Sequence, residues 1–195
     1  MAKQYGMVID TTRCMGCQTC VVSCKVSNQV PGDIYWGRVV GNGTDAFDRP
    51  SGTFPDVRLS YLPELCNHCS NPACVAACPT GAMHKREEDG VVLVDDEVCI
   101  GCGTCVEACP YQMPKLDEEA GVSTKCTLCY DRLAAGLEPW CVQACPAEAR
   151  IVGDLGDPES EVSLYIAEKG AVPIFEGYGT EPNVYVVGLS QDATA

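Results

Sequence analysis

Sixteen of the 195 residues are cysteine, far more than an ordinary apolar core contains, so the chain is either a disulfide scaffold or a metal-cluster protein. The net charge of −14 excludes a nucleic-acid binder, which needs Lys and Arg to neutralise phosphates. No apolar run reaches the roughly 18 residues of a membrane span, and Met1-Ala2-Lys3-Gln4-Tyr5 lacks the charged and apolar regions of a signal peptide.

A secreted disulfide protein would bring such a peptide, so the thiols are expected to hold metal, in a soluble chain kept in a reducing compartment. In chain order, Gly6-Met7-Val8-Ile9-Asp10 is the first strand candidate, followed by the cysteine group Cys14, Cys17, Cys20 and Cys24. The stretch from Ser27 to Ser60, rich in Gly, Asp, Asn and Pro, reads as a loop insertion. A strand candidate from Val57 to Leu62 precedes the second group, Cys66, Cys69, Cys74 and Cys78. Glu87-Glu88-Asp89-Gly90 reads as a hairpin turn, because Asp-Gly tolerates positive φ. The strand candidate from Val91 to Asp95 then leads to Cys99, Cys102, Cys105 and Cys109.

The fourth group is stretched, with Cys126 and Cys129 separated from Cys141 and Cys145, and a strand candidate from Ala149 to Gly153 follows it. Asp157-Pro158-Glu159-Ser160-Glu161 is expected to open a helix through about Lys169, with proline in the first turn and acids favouring the dipole. A strand from Asn183 to Leu189 closes the fold. Val75-Ala76-Ala77, Val106-Glu107-Ala108 and Val142-Gln143-Ala144 should each put the last cysteine of a group on a short helix. Pro79, Pro110 and Pro146 should end those helices, whereas the first group has Lys25 at that place.

The spacing C-x2-C-x2-C-x3-C-P, which the third group matches in full, wraps three thiolates round one cubane and sends the fourth to a neighbouring cluster. Zinc is the alternative, and Cys126, Cys129 and Cys141 alone could pass for a zinc knuckle. Four groups sharing one plan, with all sixteen cysteines used, favour iron–sulfur. His68 is expected near a cluster or at the surface, and His84-Lys85-Arg86 as a solvated basic turn, with a role in tuning potential or meeting a redox partner as the alternative. No Ser–His–Asp, phosphate-loop or dinucleotide-binding pattern appears, so no catalytic residue is expected.

Leu65-Cys66-Asn67-His68-Cys69, Cys78-Pro79-Thr80-Gly81-Ala82-Met83-His84-Lys85, Cys99-Ile100-Gly101-Cys102 and Lys125-Cys126-Thr127-Leu128-Cys129 resemble the iron–sulfur subunit of the dimethyl sulfoxide reductase family of molybdenum oxidoreductases. Gly52-Thr53-Phe54-Pro55-Asp56-Val57 and Ile151-Val152-Gly153-Asp154-Leu155-Gly156-Asp157-Pro158 are most similar to the subunits of polysulfide, thiosulfate and respiratory arsenate reductases. The likeness spans nearly the whole chain.

The resemblance implies an α+β fold of two bacterial-ferredoxin-like modules. Residues 1–26 and 110–157 would form the outer module, 27–60 the insertion, 61–109 the inner module and 158–195 a C-terminal extension. It implies four [4Fe–4S] clusters, held by Cys14, Cys17, Cys20 and Cys145; by Cys126, Cys129, Cys141 and Cys24; by Cys66, Cys69, Cys74 and Cys109; and by Cys99, Cys102, Cys105 and Cys78. Nitrate reductase relatives carry tryptophan and a three-iron cluster where this chain has Cys102, so all four sites should be [4Fe–4S].

The implied partners are a large catalytic subunit, which alone holds molybdopterin guanine dinucleotide, and a quinone-binding membrane subunit or another redox partner. Membrane association through those subunits and an extracytoplasmic place by co-export follow, with the cytoplasm as alternative. A free polyferredoxin carrier and the small subunit of a soluble transhydroxylase or dehydroxylase are the competing readings.

Overall fold

Met7, Val8 and Ile9 are fully buried on three successive residues, so the strand that holds them is covered on both faces. The computed structural model describes residues 3–41, 50 and 52–188. Its elements are β1 (Tyr5–Asp10), α1 (Thr19–Ser27), β2 (Gly37–Gly41), β3 (Tyr61–Leu65), α2 (Ala73–Ala76), β4 (Met83–Lys85), β5 (Val92–Val94) and α3 (Thr104–Ala108). There follow β6 (Lys115–Asp117), β7 (Val122–Thr124), α4 (Tyr130–Ala134), α5 (Trp140–Gln143), β8 (Arg150–Asp154), α6 (Glu161–Lys169), β9 (Val172–Pro173) and β10 (Val184–Val187).

One sheet of four strands, in the order β8-β1-β10-β9, joins the beginning of the described chain to its end. β1 runs parallel to β10 and antiparallel to β8, with Ile9 opposite Arg150 and Val186. Side chains on a strand alternate between faces. Met7 and Ile9 accordingly join Cys66, Cys69, Cys109 and Cys126 in one core, while Val8 meets Ile151, Val162 and Ala171 beneath α6. One face of the sheet therefore backs the thiols, and the other carries an ordinary helix-on-sheet layer. The pairs β2–β3, β4–β5 and β6–β7 are antiparallel hairpins standing round the cysteine loops.

The expected strands at Gly6–Asp10, Val91–Asp95 and Ala149–Gly153 are present as β1, β5 and β8, and the Glu87–Gly90 turn joins β4 to β5 with Gly90 at φ 71°. The candidate from Val57 to Leu62 is displaced: β3 begins at Tyr61, because Leu62 and Leu65 reach the core whereas Val57 and Leu59 are exposed. The stretch read as a loop contains β2, and its residues 42–49 and 51 lie outside the described residues. Helix α6 begins at Glu161 rather than at Pro158, since Ser160 caps it by accepting the Ser163 N–H at 3.3 Å. The last strand ends at Val187, and the expected end at Leu189 is outside the described residues.

The last cysteines also differ from expectation. Cys74, Cys105 and Cys141 lie within α2, α3 and α5, while Cys78, Cys109 and Cys145 fall just beyond those helices. The following proline disfavours the helical conformation in the residue before it, and Cys109 is extended at φ −81°, ψ 112°. Only α1, with Lys25 in place of proline, runs on to carry both Cys20 and Cys24. Among the described residues no helix is long and apolar enough to cross a membrane.

Candidate metal centres

The first C-x2-C pair of each group shares one backbone feature: the residue before the second cysteine is left-handed. Gly16, His68, Gly101 and Leu128 have φ of 70°, 42°, 64° and 53°. At Gly16 and Gly101 only glycine fits, because a Cβ would stand 2.6 Å from the Tyr61 ring in one case and run into the Gly121 carbonyl oxygen in the other.

Around these loops the thiols gather by fours. Cys14, Cys17, Cys20 and Cys145 line one cavity; Cys66, Cys69, Cys74 and Cys109 line a second; Cys78, Cys99, Cys102 and Cys105 line a third. The remaining four, Cys24, Cys126, Cys129 and Cys141, interact electrostatically with one another. Each set takes three cysteines from one sequence group and one from another. The sets form a row: Cys20 faces Cys141, Cys126 faces Cys66, and Cys74 shares an apolar cluster with Cys105. Cys17 and Cys102, in the first and last sets, are exposed.

Several of the buried thiols resist ionisation. Burial pushes Cys24 and Cys74 up to about 12 and Cys69 to about 11, and drives Cys126 well above the usual thiol range. The exposed Cys17 and Cys102 go the other way, each drawn down by a neighbouring hydroxyl, Thr19 and Thr104. Backbone N–H groups of Met83, Ser123, Leu128 and Ala149 donate to the sulfurs of Cys78, Cys99, Cys126 and Cys145 at 3.3–3.4 Å. Such donors favour thiolate, so a group that displaces the thiol protons finds its ligands already solvated by the fold. Among the described residues no three His, Cys, Asp or Glu side chains converge closely enough to hold a single ion. The thiols of three sets surround a space rather than a point, which suits a four-cornered iron–sulfur cluster.

His68 is not at the surface. It is 1% exposed, its Nδ1 accepts the Val92 N–H at 3.1 Å, and its Nε2 is buried without a partner. Burial, with Lys125 and Lys85 nearby, lowers its pKa and keeps it neutral. Nor is Lys85 part of a solvated turn: its Nζ donates to Gln4 Oε1 and the Gly90 carbonyl, each at 2.7 Å, and to the Cys69 carbonyl at 3.2 Å. Arg86 pairs with Asp89 at 3.1 Å and lies over the Tyr130 ring, and half-buried His84 contacts the Ala82 carbonyl at 3.0 Å.

Two buried cations carried no role in the sequence reading. Lys125 donates to the carbonyls of Val92 and Cys126, and Arg150 points into the thiols of the first set. A cation inside an otherwise apolar strand, directly after the fourth cysteine group, was the signal for Arg150.

The 4Fe-4S dicluster domain family matches residues 57–155, and a 4Fe-4S binding domain matches residues 11–27. A sulfite dehydrogenase subunit of Allochromatium vinosum is 44% identical, the match covering 92% of this chain and 80% of the relative. A component of the anaerobic dimethyl sulfoxide reductase of Escherichia coli is 41% identical over 95% of this chain and 89% of the relative. The arsenate respiratory reductase iron–sulfur subunit of a Shewanella species is 35% identical over 94% and 96%. With 4Fe-4S domains, thiols gathered by fours and relatives of this kind along almost its whole length, this protein belongs to the iron–sulfur subunits of the dimethyl sulfoxide reductase family.

Proposed function

We propose that this chain is an electron-transfer subunit that holds four [4Fe–4S] clusters in two ferredoxin-like modules. The observation that carries the reading is the row of four thiol sets, each built three plus one, with exposed Cys17 and Cys102 at opposite ends. The ligand sets are Cys14, Cys17, Cys20 and Cys145; Cys24, Cys126, Cys129 and Cys141; Cys66, Cys69, Cys74 and Cys109; and Cys78, Cys99, Cys102 and Cys105. The outer module comprises 1–26 and 110–157, the inner 61–109, with 27–60 inserted and 158–195 as the extension.

When bound, the clusters supply one-electron transfer. The chain's own part is to hold them in line, to keep water from the middle sets and to leave one thiol at each end near the surface. Its partners are a large molybdopterin catalytic subunit and a quinone-reactive membrane subunit or another redox protein. The complex is membrane-associated through those partners, on the extracytoplasmic side. Exposed apolar residues in the insertion, Phe54 at 92%, Val57 and Leu59, support a subunit rather than a mobile carrier, because they offer a surface for another chain.

Affinity purification of the tagged chain from its native host, without oxygen, is expected to bring down a larger molybdenum-containing chain. Recovery of a cluster-loaded chain alone, at native expression levels, would overturn the subunit reading in favour of a free carrier.

A further inference from the structure

Arg150 is 6% exposed and, among the described residues, makes no ion pair with a carboxylate. Its Nη2 donates to Cys20 Sγ at 3.4 Å and its Nη1 to Met7 Sδ at 3.6 Å. A guanidinium stays charged even when buried, and a buried charge without a counter-charge is strongly unfavourable. The groups that face it are thiols: Cys141, Cys20 and Cys145, with Cys14 and Cys24 also within electrostatic reach. Cys14, Cys20 and Cys145 belong to one set and Cys24 and Cys141 to the next, so the cation stands between two sites. Its place is fixed by the sheet, where Arg150 pairs with Ile9 in the buried centre of β1.

We propose that Arg150 is a positioning residue whose counter-charge is the pair of clusters in the outer module, and that it raises the reduction potential of both. The inference rests on the ligand sets proposed above. Each cluster takes one electron from the reductant and becomes one charge more negative, so a fixed cation beside it stabilises the reduced form. One guanidinium between two sites acts on both and leaves the inner module's pair, behind Cys66 and Cys126, largely outside its field.

The test is a dithionite titration of the full chain followed by electron paramagnetic resonance, in the native protein, Arg150→Met and Arg150→Lys. The outer pair is recognised by the signals lost in Cys145→Ser and Cys24→Ser. Arg150→Met should shift the reduced-to-oxidised ratio of both outer clusters about tenfold toward oxidised, about 59 mV for one electron, with the inner pair unmoved. Arg150→Lys should stay near native. Four loaded clusters with unmoved outer potentials in Arg150→Met, or four potentials moving together, would overturn the inference alone. If Arg150→Met fails to load the outer pair, Arg150→Lys decides: loading at near-native potentials supports the charge, and failure to load shows that shape is required and overturns it. A native protein with fewer than about sixteen irons would overturn the ligand sets, and the inference with them.

Discussion

Replacing Cys145 by serine is expected to destroy the cluster bound by Cys14, Cys17 and Cys20, although Cys145 stands with Cys126, Cys129 and Cys141 in the sequence. The structure puts Cys145 in the wall of the first cavity, beside those three thiols and Arg150. Its sulfur accepts the Ala149 N–H at 3.4 Å, one residue before β8 begins. Loss of the ligand should therefore also loosen the edge where β8 pairs with β1, because cluster binding and folding are coupled. Iron content should fall from about sixteen to about twelve atoms, with a lower thermal midpoint. Spectra in which the cluster of Cys126, Cys129 and Cys141 disappears instead would contradict the cross-ligation.

Gly101→Ala should be nearly as damaging at the far end of the row. An L-residue in the left-handed conformation costs about 1–2 kcal/mol, and here the new Cβ would also run into the Gly121 carbonyl oxygen. Gly121 lies in the turn between β6 and β7, and that hairpin supplies Ser123, whose N–H donates to Cys99 at 3.3 Å and whose hydroxyl meets Cys105 at 3.2 Å. Pushing the hairpin away removes support from two thiols of one set, so the cluster of Cys78, Cys99, Cys102 and Cys105 should be lost. Gly103→Ala is the control, since Gly103 has φ 74° but nothing within 4 Å of its added Cβ. It should keep all four clusters and lose only modest stability. Equal damage by the two variants, read by iron content and spectra, would show that strain rather than the contact with Gly121 governs the loop.

Much of this was legible from local chemistry. The cysteine spacing announces the loops, Met7-Val8-Ile9 announces a strand, and Asp89-Gly90 announces the turn that Gly90 makes at φ 71°. The spacing says that the last cysteine of a group serves a neighbouring cluster, but which groups pair came from family resemblance, since nothing local to Cys24 or Cys145 says which site each one joins. Other features depend on contacts that no window of sequence contains. Leu128 is a residue that ordinarily avoids the left-handed region, yet its loop holds it there. Leu62 and Leu65 rather than Val57 and Leu59 become the strand because they are the ones that reach the core. Arg150 and Lys125 carry no visible role until the fold buries them against thiols and carbonyls.

The most direct test of the central claim is the iron, zinc and acid-labile sulfide content of the anaerobically purified protein. Four sites of four thiolates each predict about sixteen iron and sixteen sulfide atoms per molecule, with negligible zinc. Stoichiometric zinc without sulfide, or iron and sulfide sufficient for only two clusters, would contradict it.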